Sequence, residues 1–181
     1  LAEGTVKVVV EGGKAILHRS GLFHEFWPFA VKMFCFLNMV CEKFQQPNSE
    51  AEPEFPYVSS FGHQCEAILW PLGAKCKITI PENNDDRLKF DGKNQDAIFL
   101  SYHQHPGGEW SRDYLAMRIK DLNLMQPGKI PHVYRVRGMS VDEFKLHPIF
   151  PMFEARLIID EQKCQDIVQN RIDHPVLSSA P

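Results

Sequence analysis

The stretch HQHPGGEW, which begins at His103, holds the densest group of potentially reactive side chains in the sequence. His103 and His105 are separated by one residue, so both imidazoles would point to the same side of a strand, and Glu109 could approach them across a turn. These side chains are of types that bind zinc, but a zinc site takes three or four ligands. No third residue lies at a suitable spacing. A histidine-based metal site is therefore one of two interpretations of this stretch.

The second interpretation treats the same stretch as the tip of a β-hairpin. Pro106, Gly107 and Gly108 separate two apolar, strand-like runs at residues 97–102 and 113–119. Glycine tolerates the positive φ angles that tight turns require, and proline interrupts a strand. The flanking runs therefore favour a hairpin over a metal site.

The composition of the 181 residues limits the classes of protein. With 44% hydrophobic and 24% charged residues, the chain can bury a core, so it is not a disordered protein. The formal net charge of −3 provides no basic surplus, so nucleic-acid binding must use a local basic patch. Five cysteines without a C-x-x-C pair favour a reduced, intracellular setting. Because the chain opens with Leu1 inside a patterned stretch, we expect a fragment of a longer polypeptide.

The first segment, residues 2–17, has two interpretations. Its consecutive valines and its glycine pair at 12–13 favour a β-hairpin by local propensity. As a helix, the segment would instead place Glu3, Lys7 and Lys14 on one face. A carboxylate one turn away from a lysine is usually no more than a solvent-exposed ion pair.

Residues 23–44 predict a helix, because apolar residues recur there at helical spacing and Pro28 suits a first helical turn. Apolar residues also occupy much of the opposite face, so we expect this helix to be mostly buried. Lys32 and Glu42 leave an apolar run shorter than the roughly 20 residues of a membrane span. We therefore predict a core helix and no membrane partner.

Beyond this helix the sequence changes to a proline-rich acidic connector and then to short strands. Several short strands without an intervening helical pattern suggest a small β-barrel. The predicted strands are residues 75–80, 97–102, 113–119 and 132–137, a helix follows at 154–172, and Asp85, Asp86 and Asp91 lie in a solvated loop. The predicted class is α+β, with helices at 1–44, a linker at 45–62, the barrel at 63–140 and a partly helical tail at 141–181.

Two parts of the sequence resemble Copia-type LTR retrotransposon Pol polyproteins. The stretch LAEGTVKVVVEGGKAILHRSGLFHEFWPFAVKMFCFLN resembles the end of the integrase catalytic core, where an Ala-Glu-Arg-type motif begins a helix. The stretches PLGAKCKITIP, RLKFD and AIFLSYHQHPGGEWSRDYLAM resemble the SH3-like domain that follows this core. The resemblance covers residues 1–137 in order. Gly4 and Ser101 stand where the family usually has arginine and glycine.

The resemblance implies an RNase H-like fold for the core and a metal-dependent chemistry. The family's integrases use two aspartates and one glutamate to hold two Mg²⁺ ions, which activate a water or a DNA 3′-hydroxyl for attack on a phosphodiester. Glu3 matches the glutamate and would be catalytic and metal-binding, while Lys7 and Lys14 would lie on the helix face that approaches DNA. Both aspartates would precede Leu1, which implies that this chain alone is inactive. The resemblance also implies that residues 2–17 are helical.

The expected function is that of an integrase fragment from a retrotransposon Pol polyprotein, involved in DNA integration and nucleic-acid binding. Its implied partners are element and target DNA and an integrase homo-oligomer, and its implied location is the nucleus. One alternative is a non-catalytic remnant that binds protein or nucleic acid through the barrel. Another is a small metalloprotein centred on His103 and His105.

Overall fold

The computed structural model describes residues 2–45, 52–79, 93–122, 129–141 and 147–173. The helices are α1 (Ala2–Ser20), α2 (Trp27–Cys41), α3 (Pro56–Phe61), α4 (Ile119–Leu122) and α5 (Pro151–Asp173), and a 3₁₀ turn at His24–Phe26 precedes α2. The strands are β1 (Lys75–Thr79), β2 (Asn94–Gln104), β3 (Trp110–Arg118), β4 (Tyr134–Val136) and β5 (Met139–Ser140). This mixture confirms the α+β class. The predicted loop carboxylates Asp85, Asp86 and Asp91 and the RLKFD stretch lie outside the described residues.

The first segment forms a single helix, α1, so the hairpin interpretation is wrong and the helix that the resemblance implied is confirmed. Its glycine pair lies where α1 packs against α2. The ring of Phe34 covers Gly12, and the side chain of Val31 lies against Gly13. A Cβ atom at Gly12 would overlap three ring carbons of Phe34. Close packing of the two helices thus offsets the poor helix propensity of the two glycines.

Helix α2 confirms a helix within residues 23–44, but the helix is only partly buried, since Trp27 is 54% exposed. Pro28 lies in its first turn, where the missing N–H has no partner to lose. Ala30, Met33 and Phe36 are buried at three-residue spacing and form one face. The ring of Phe36 stacks on that of Tyr102 in β2, with 4.1 Å between the ring centroids. Helix α2 therefore packs directly on the sheet.

Five antiparallel strands form one sheet in the order β4-β3-β2-β1-β5. All four predicted strands are present, and β2 pairs with β3 around the turn at residues 106–108, as predicted. The register of this pair shifts between Phe99 and Ser101 and between His103 and Gln104. Within the described residues the sheet is open, with β4 and β5 at its edges. The SH3-like and RNase H-like assignments therefore remain predictions.

One hydrophobic cluster joins the helices to the sheet. The second half of the predicted linker contributes to it, because α3 places Tyr57 in the core. The ring of Tyr57 meets that of Phe36 edge to face, with centroids 6.4 Å apart. Residues 46–51 of the predicted linker lie outside the described residues. The described parts before and after the linker thus share one core.

Residues 64–70 run irregularly between α3 and β1, and two tyrosine hydroxyls hold this segment on the sheet. The Tyr102 hydroxyl accepts a hydrogen bond from Trp70 N at 2.8 Å and donates one to Ile68 O at 3.1 Å. The Tyr114 hydroxyl accepts a hydrogen bond from Ile68 N at 3.1 Å. Burial raises the pKa of both phenols, so each remains a neutral donor and acceptor.

The helix predicted in the tail is present as α5, and its first turns pack beside the end of α1. Gly21, with φ of 69°, faces the backbone of Phe153 so closely that a Cβ atom would not fit. Arg156 donates a hydrogen bond to Leu22 O at 3.1 Å. Among the described helices, none is both long and apolar enough to cross a membrane. Four cysteines with described side chains carry free thiols, namely Cys35, Cys41, Cys65 and Cys76.

Candidate nucleic-acid interface

The residues predicted to bind metal and DNA lie on the outer surface of α1. Glu3, Lys7 and Lys14 are all exposed. At 3.6 residues per turn, the three positions fall within about 40° of one another around the helix axis. Lys7 and Lys14 are about 10 Å apart along that axis. The helix therefore presents one carboxylate and two ammonium groups along a single accessible stripe.

The ammonium group of Lys14 has a partner within the same helix. Its Nζ lies 3.0 Å from Glu11 Oε1, and both side chains are more than half exposed. Such a surface ion pair contributes little to stability, about 0.3–0.5 kcal/mol on a helix. The pair is also easily exchanged for another anion, because water and salt screen it. Lys14 is thus available to a phosphate, at the cost of releasing Glu11.

Glu3 is a single exposed carboxylate at the start of α1. In the parts of the chain that the structure describes, no three histidine, cysteine, aspartate or glutamate side chains lie close enough to share a metal ion. A two-ion Mg²⁺ site requires several carboxylates, and Glu3 would supply one of them. Glu3 lies in the first turn of α1, where a negative charge interacts favourably with the helix dipole.

The histidine-rich stretch is the tip of the β2–β3 hairpin, as the second interpretation predicted. His105 N donates to Glu109 O at 2.8 Å, and Gly108 N donates to His105 O at 3.0 Å. Gly107 and Gly108 have φ angles of 108° and 97°, which favour glycine. The two glycines of the stretch are therefore explained by the positive φ angles that this turn requires.

The carboxylate of Glu109 does not approach the two histidines of the hairpin but contacts His63, which precedes β1 along the chain. His63 Nε2 lies 3.2 Å from Glu109 Oε1, and its Nδ1 lies 3.0 Å from Gln64 O. The hydrogen bond to Gln64 O raises the pKa of His63, and the contact with Glu109 raises it further. This exposed pair ties the hairpin tip to the segment that follows α3.

The imidazole of His103 lies against the start of β3. Ser111 Oγ donates to His103 O at 2.8 Å, so its oxygen is left to accept from His103 Nδ1 at 2.7 Å. Burial lowers the pKa of His103, and Arg135 lowers it further, whereas the carboxylate of Asp113 opposes them in part; the overall shift is downward. The ring therefore stays neutral at neutral pH and lies in a region of positive potential.

That potential comes from a cluster that the sequence analysis did not predict. Asp113 of β3 is buried, with 5% of its side chain exposed, between two arginines from the edge of the sheet. Arg135 Nε donates to Asp113 Oδ2 at 2.6 Å, and Arg137 Nε donates to Asp113 Oδ1 at 3.1 Å. The alternation of the two arginines in the strand predicted at 132–137 was the available signal, since alternate residues share a face.

The two arginines decide the charge state of Asp113. Burial alone would raise the pKa of this carboxyl. The hydrogen bonds from Arg135 and Arg137 and their positive charges outweigh that effect, and the pKa of Asp113 is lowered. The carboxylate therefore remains ionised and fixes both guanidinium groups.

Comparison with known proteins identifies no relative of this chain. It matches no protein-family model, no curated protein and no solved structure.

Proposed function

We propose that this chain is part of a Copia-type retrotransposon integrase and that it contacts DNA through the exposed face of α1. The observation that carries the proposal is the helical conformation of residues 2–20. Local propensity opposes this conformation, whereas the resemblance to the integrase core implied it. The same conformation places Lys7 and Lys14 on one accessible face beside Glu3. Location in the nucleus and assembly into a homo-oligomer belong to the same proposal.

The chemistry of this face suits a phosphate backbone but not catalysis by this chain alone. Lys7 and Lys14 supply point charges to phosphates, and each neutralised phosphate releases counterions, which makes binding dependent on salt. Glu3 contributes one carboxylate, and the remaining acidic ligands of a family Mg²⁺ site would have to come from residues before this chain. DNA binding without cleavage or joining is therefore the activity that we propose for these 181 residues.

The experiment that tests the proposal measures binding of the whole chain to a fluorescent DNA duplex over a range of salt concentrations. In the double variant Lys7→Gln/Lys14→Gln, we expect the slope of log K against log salt to become less steep by about 2, since each phosphate contact contributes about 0.9. The matched control is Lys163→Gln, which removes a charge from the exposed surface of α5. No binding at low salt, or equal slopes in the wild type and the double variant, would disprove the proposal.

A second candidate function is that of a non-catalytic protein-binding remnant. Leu157, Ile158 and Ile159 project from α5 with 48%, 56% and 48% of their surface exposed. Adjacent exposed aliphatic residues are typical of surfaces that bind another protein. This function would be favoured if the wild-type chain does not bind DNA but associates in solution, and if the Ile158→Asp variant no longer associates. Stoichiometric zinc that is lost in His105→Ala would instead favour the metalloprotein alternative.

A further inference from the structure

The cluster formed by Asp113, Arg135 and Arg137 carries more positive than negative charge. One carboxylate faces two guanidinium groups, so the group as a whole has a charge of +1 while Asp113 is ionised. The arginine side chains are 51% and 83% exposed, although the carboxylate between them is buried. The surplus charge is therefore presented to solvent at the β4 edge of the sheet.

The geometry of the cluster leaves donor groups available to a ligand. The described contact of Arg137 with Asp113 is made by Nε. Because 83% of the side chain is exposed, the outer end of the guanidinium group faces solvent. Arg135 contacts the other carboxylate oxygen, Oδ2, through both Nε and Nη2, so its Nη1 end is the part left for a ligand. Arg135 lies in β4 and Arg137 directly follows that strand, and both side chains reach the same carboxylate. Two oriented guanidinium groups thus lie side by side.

A neutral imidazole and an exposed arginine lie next to the cluster. His103 is the cross-strand partner of Asp113 in the β2–β3 pair, so its side chain shares the face of the arginines. Arg112, the residue before Asp113, is exposed and has a φ angle of 63°, which is a strained conformation for a residue other than glycine. A buried carboxylate that only stabilised the fold would need one arginine to balance its charge. The second arginine is left for a different anion.

We propose that Arg135 and Arg137, oriented by Asp113, bind a phosphate group, and that this phosphate belongs to a nucleic-acid backbone. The identity of the backbone rests on the proposed function, whereas the phosphate site rests on the cluster itself. The guanidinium fork matches two phosphate oxygens, and a fork already held by a carboxylate loses little conformational entropy on binding. Arg135 and Arg137 therefore extend the contact with DNA beyond α1 to the edge strand β4 and the residue that follows it.

The first arm of the test uses Arg137→Gln in the same DNA-binding measurement, with Lys163→Gln as the control of equal charge change. We expect Arg137→Gln to make the salt slope less steep by about 1 and to weaken binding about fivefold to tenfold near 0.1 M salt. The control should shift neither value. Thermal unfolding of both variants checks their folding, and the large exposure of Arg137 makes Gln tolerable at this position. If Arg137→Gln binds like the control while the lysine double variant loses affinity, the arginine site is disproved and the proposed function stands.

The second arm observes the arginine Nε–H signals by NMR while inorganic phosphate is added. We expect the signals of Arg135 and Arg137 to shift together and to saturate, and Arg137→Gln to abolish the shift of Arg135. If the chain does not bind DNA at all, the proposed function fails, and this arm decides the phosphate site separately. No saturable shift at either arginine would overturn the site, whatever the result with DNA.

Discussion

The ring of Phe34 in α2 lies directly on the backbone of Gly12 in α1, in the space that a Cβ atom would occupy. The absence of a side chain at this position therefore sets how closely the two helices approach. Gly4, on the same helix, has no atom within 4 Å of the place where its Cβ would lie. The two glycines lie in one helix, but a side chain would fit at Gly4 and would clash at Gly12.

We expect Gly12→Ala to destabilise the protein and Gly4→Ala to stabilise it slightly. Alanine favours the helix at both positions, by about 0.5–1 kcal/mol. At Gly12, displacement of the Phe34 ring costs about 1–3 kcal/mol, which outweighs this gain. Urea unfolding measures the two free energies. A Gly12→Ala variant as stable as Gly4→Ala would show that the ring yields without cost, and partial recovery in Gly12→Ala/Phe34→Ala would confirm the cause.

Removing the hydroxyl of Ser101 and removing that of Ser20 should have opposite effects on stability. Both are buried, but Ser101 Oγ has no hydrogen-bond partner among the described residues. Ser20 Oγ donates to Leu17 O at 2.6 Å and accepts from Leu22 N at 3.1 Å. A buried hydroxyl without a partner costs free energy, whereas one that satisfies a backbone N–H contributes to stability.

We therefore expect Ser101→Ala to raise the free energy of unfolding by about 1 kcal/mol and Ser20→Ala to lower it by about 1 kcal/mol. The same urea titration compares both variants with the wild type. Equal losses of stability in the two variants would mean that the Ser101 hydroxyl makes a contact outside the described residues. Ser101 is also a position where the resembling family usually has glycine, which carries no hydroxyl.

The pKa values of His63, which contacts the hairpin tip, and of His103, which lies in β2, should be shifted in opposite directions from the ordinary histidine value. The hydrogen bond to Gln64 O and the contact with Glu109 raise the pKa of His63, while burial and nearby positive charges lower the pKa of His103. NMR titration of the imidazole signals should therefore find that His63 is deprotonated at the higher pH. Glu109→Gln should lower the pKa of His63 and leave that of His103 in place. No change at His63 would disprove the contact.

The sign of the linked stability follows from the direction of the His63 shift. Because the folded-state pKa of His63 is raised, its contribution to stability is fully present below the unfolded-state pKa and is lost as the pH rises through the folded-state pKa. The contribution is small, since water screens an exposed pair. Unfolding measured on both sides of neutral pH should show a pH dependence that is weaker in Glu109→Gln than in the wild type.

The hairpin and α1 show which parts of the fold local sequence can predict. The β2–β3 hairpin was predicted because its requirement for positive φ is met by Gly107 and Gly108 within the turn itself. Local propensity did not predict the helical conformation of α1. A glycine at position 12 is favourable only because the ring of Phe34, a residue distant in the chain, packs against it. A pattern over a few residues does not contain such a contact, and the resemblance supplied the missing information.

One candidate site could be predicted from local sequence, and the other could not. The common face of Glu3, Lys7 and Lys14 followed from helical periodicity once the helix was assumed. The arginine cluster required knowledge of which strands pair, because Asp113 meets Arg135 and Arg137 only through the register of β3 with β4. Strand order and register depend on contacts between distant segments, so sequence periodicity indicated the strands but not their neighbours.

The hydroxyls of Tyr102 and Tyr114 take the place of a neighbouring strand for the segment at residues 68–70. The order of this segment depends on two side chains at the centre of the sheet rather than on a ladder of backbone bonds. The amide protons of Ile68 and Trp70 should therefore exchange with solvent more slowly than that of Leu69, although the segment has no regular secondary structure. Removal of either hydroxyl should therefore release the irregular connection while the strands of the sheet stay paired through their own backbone bonds.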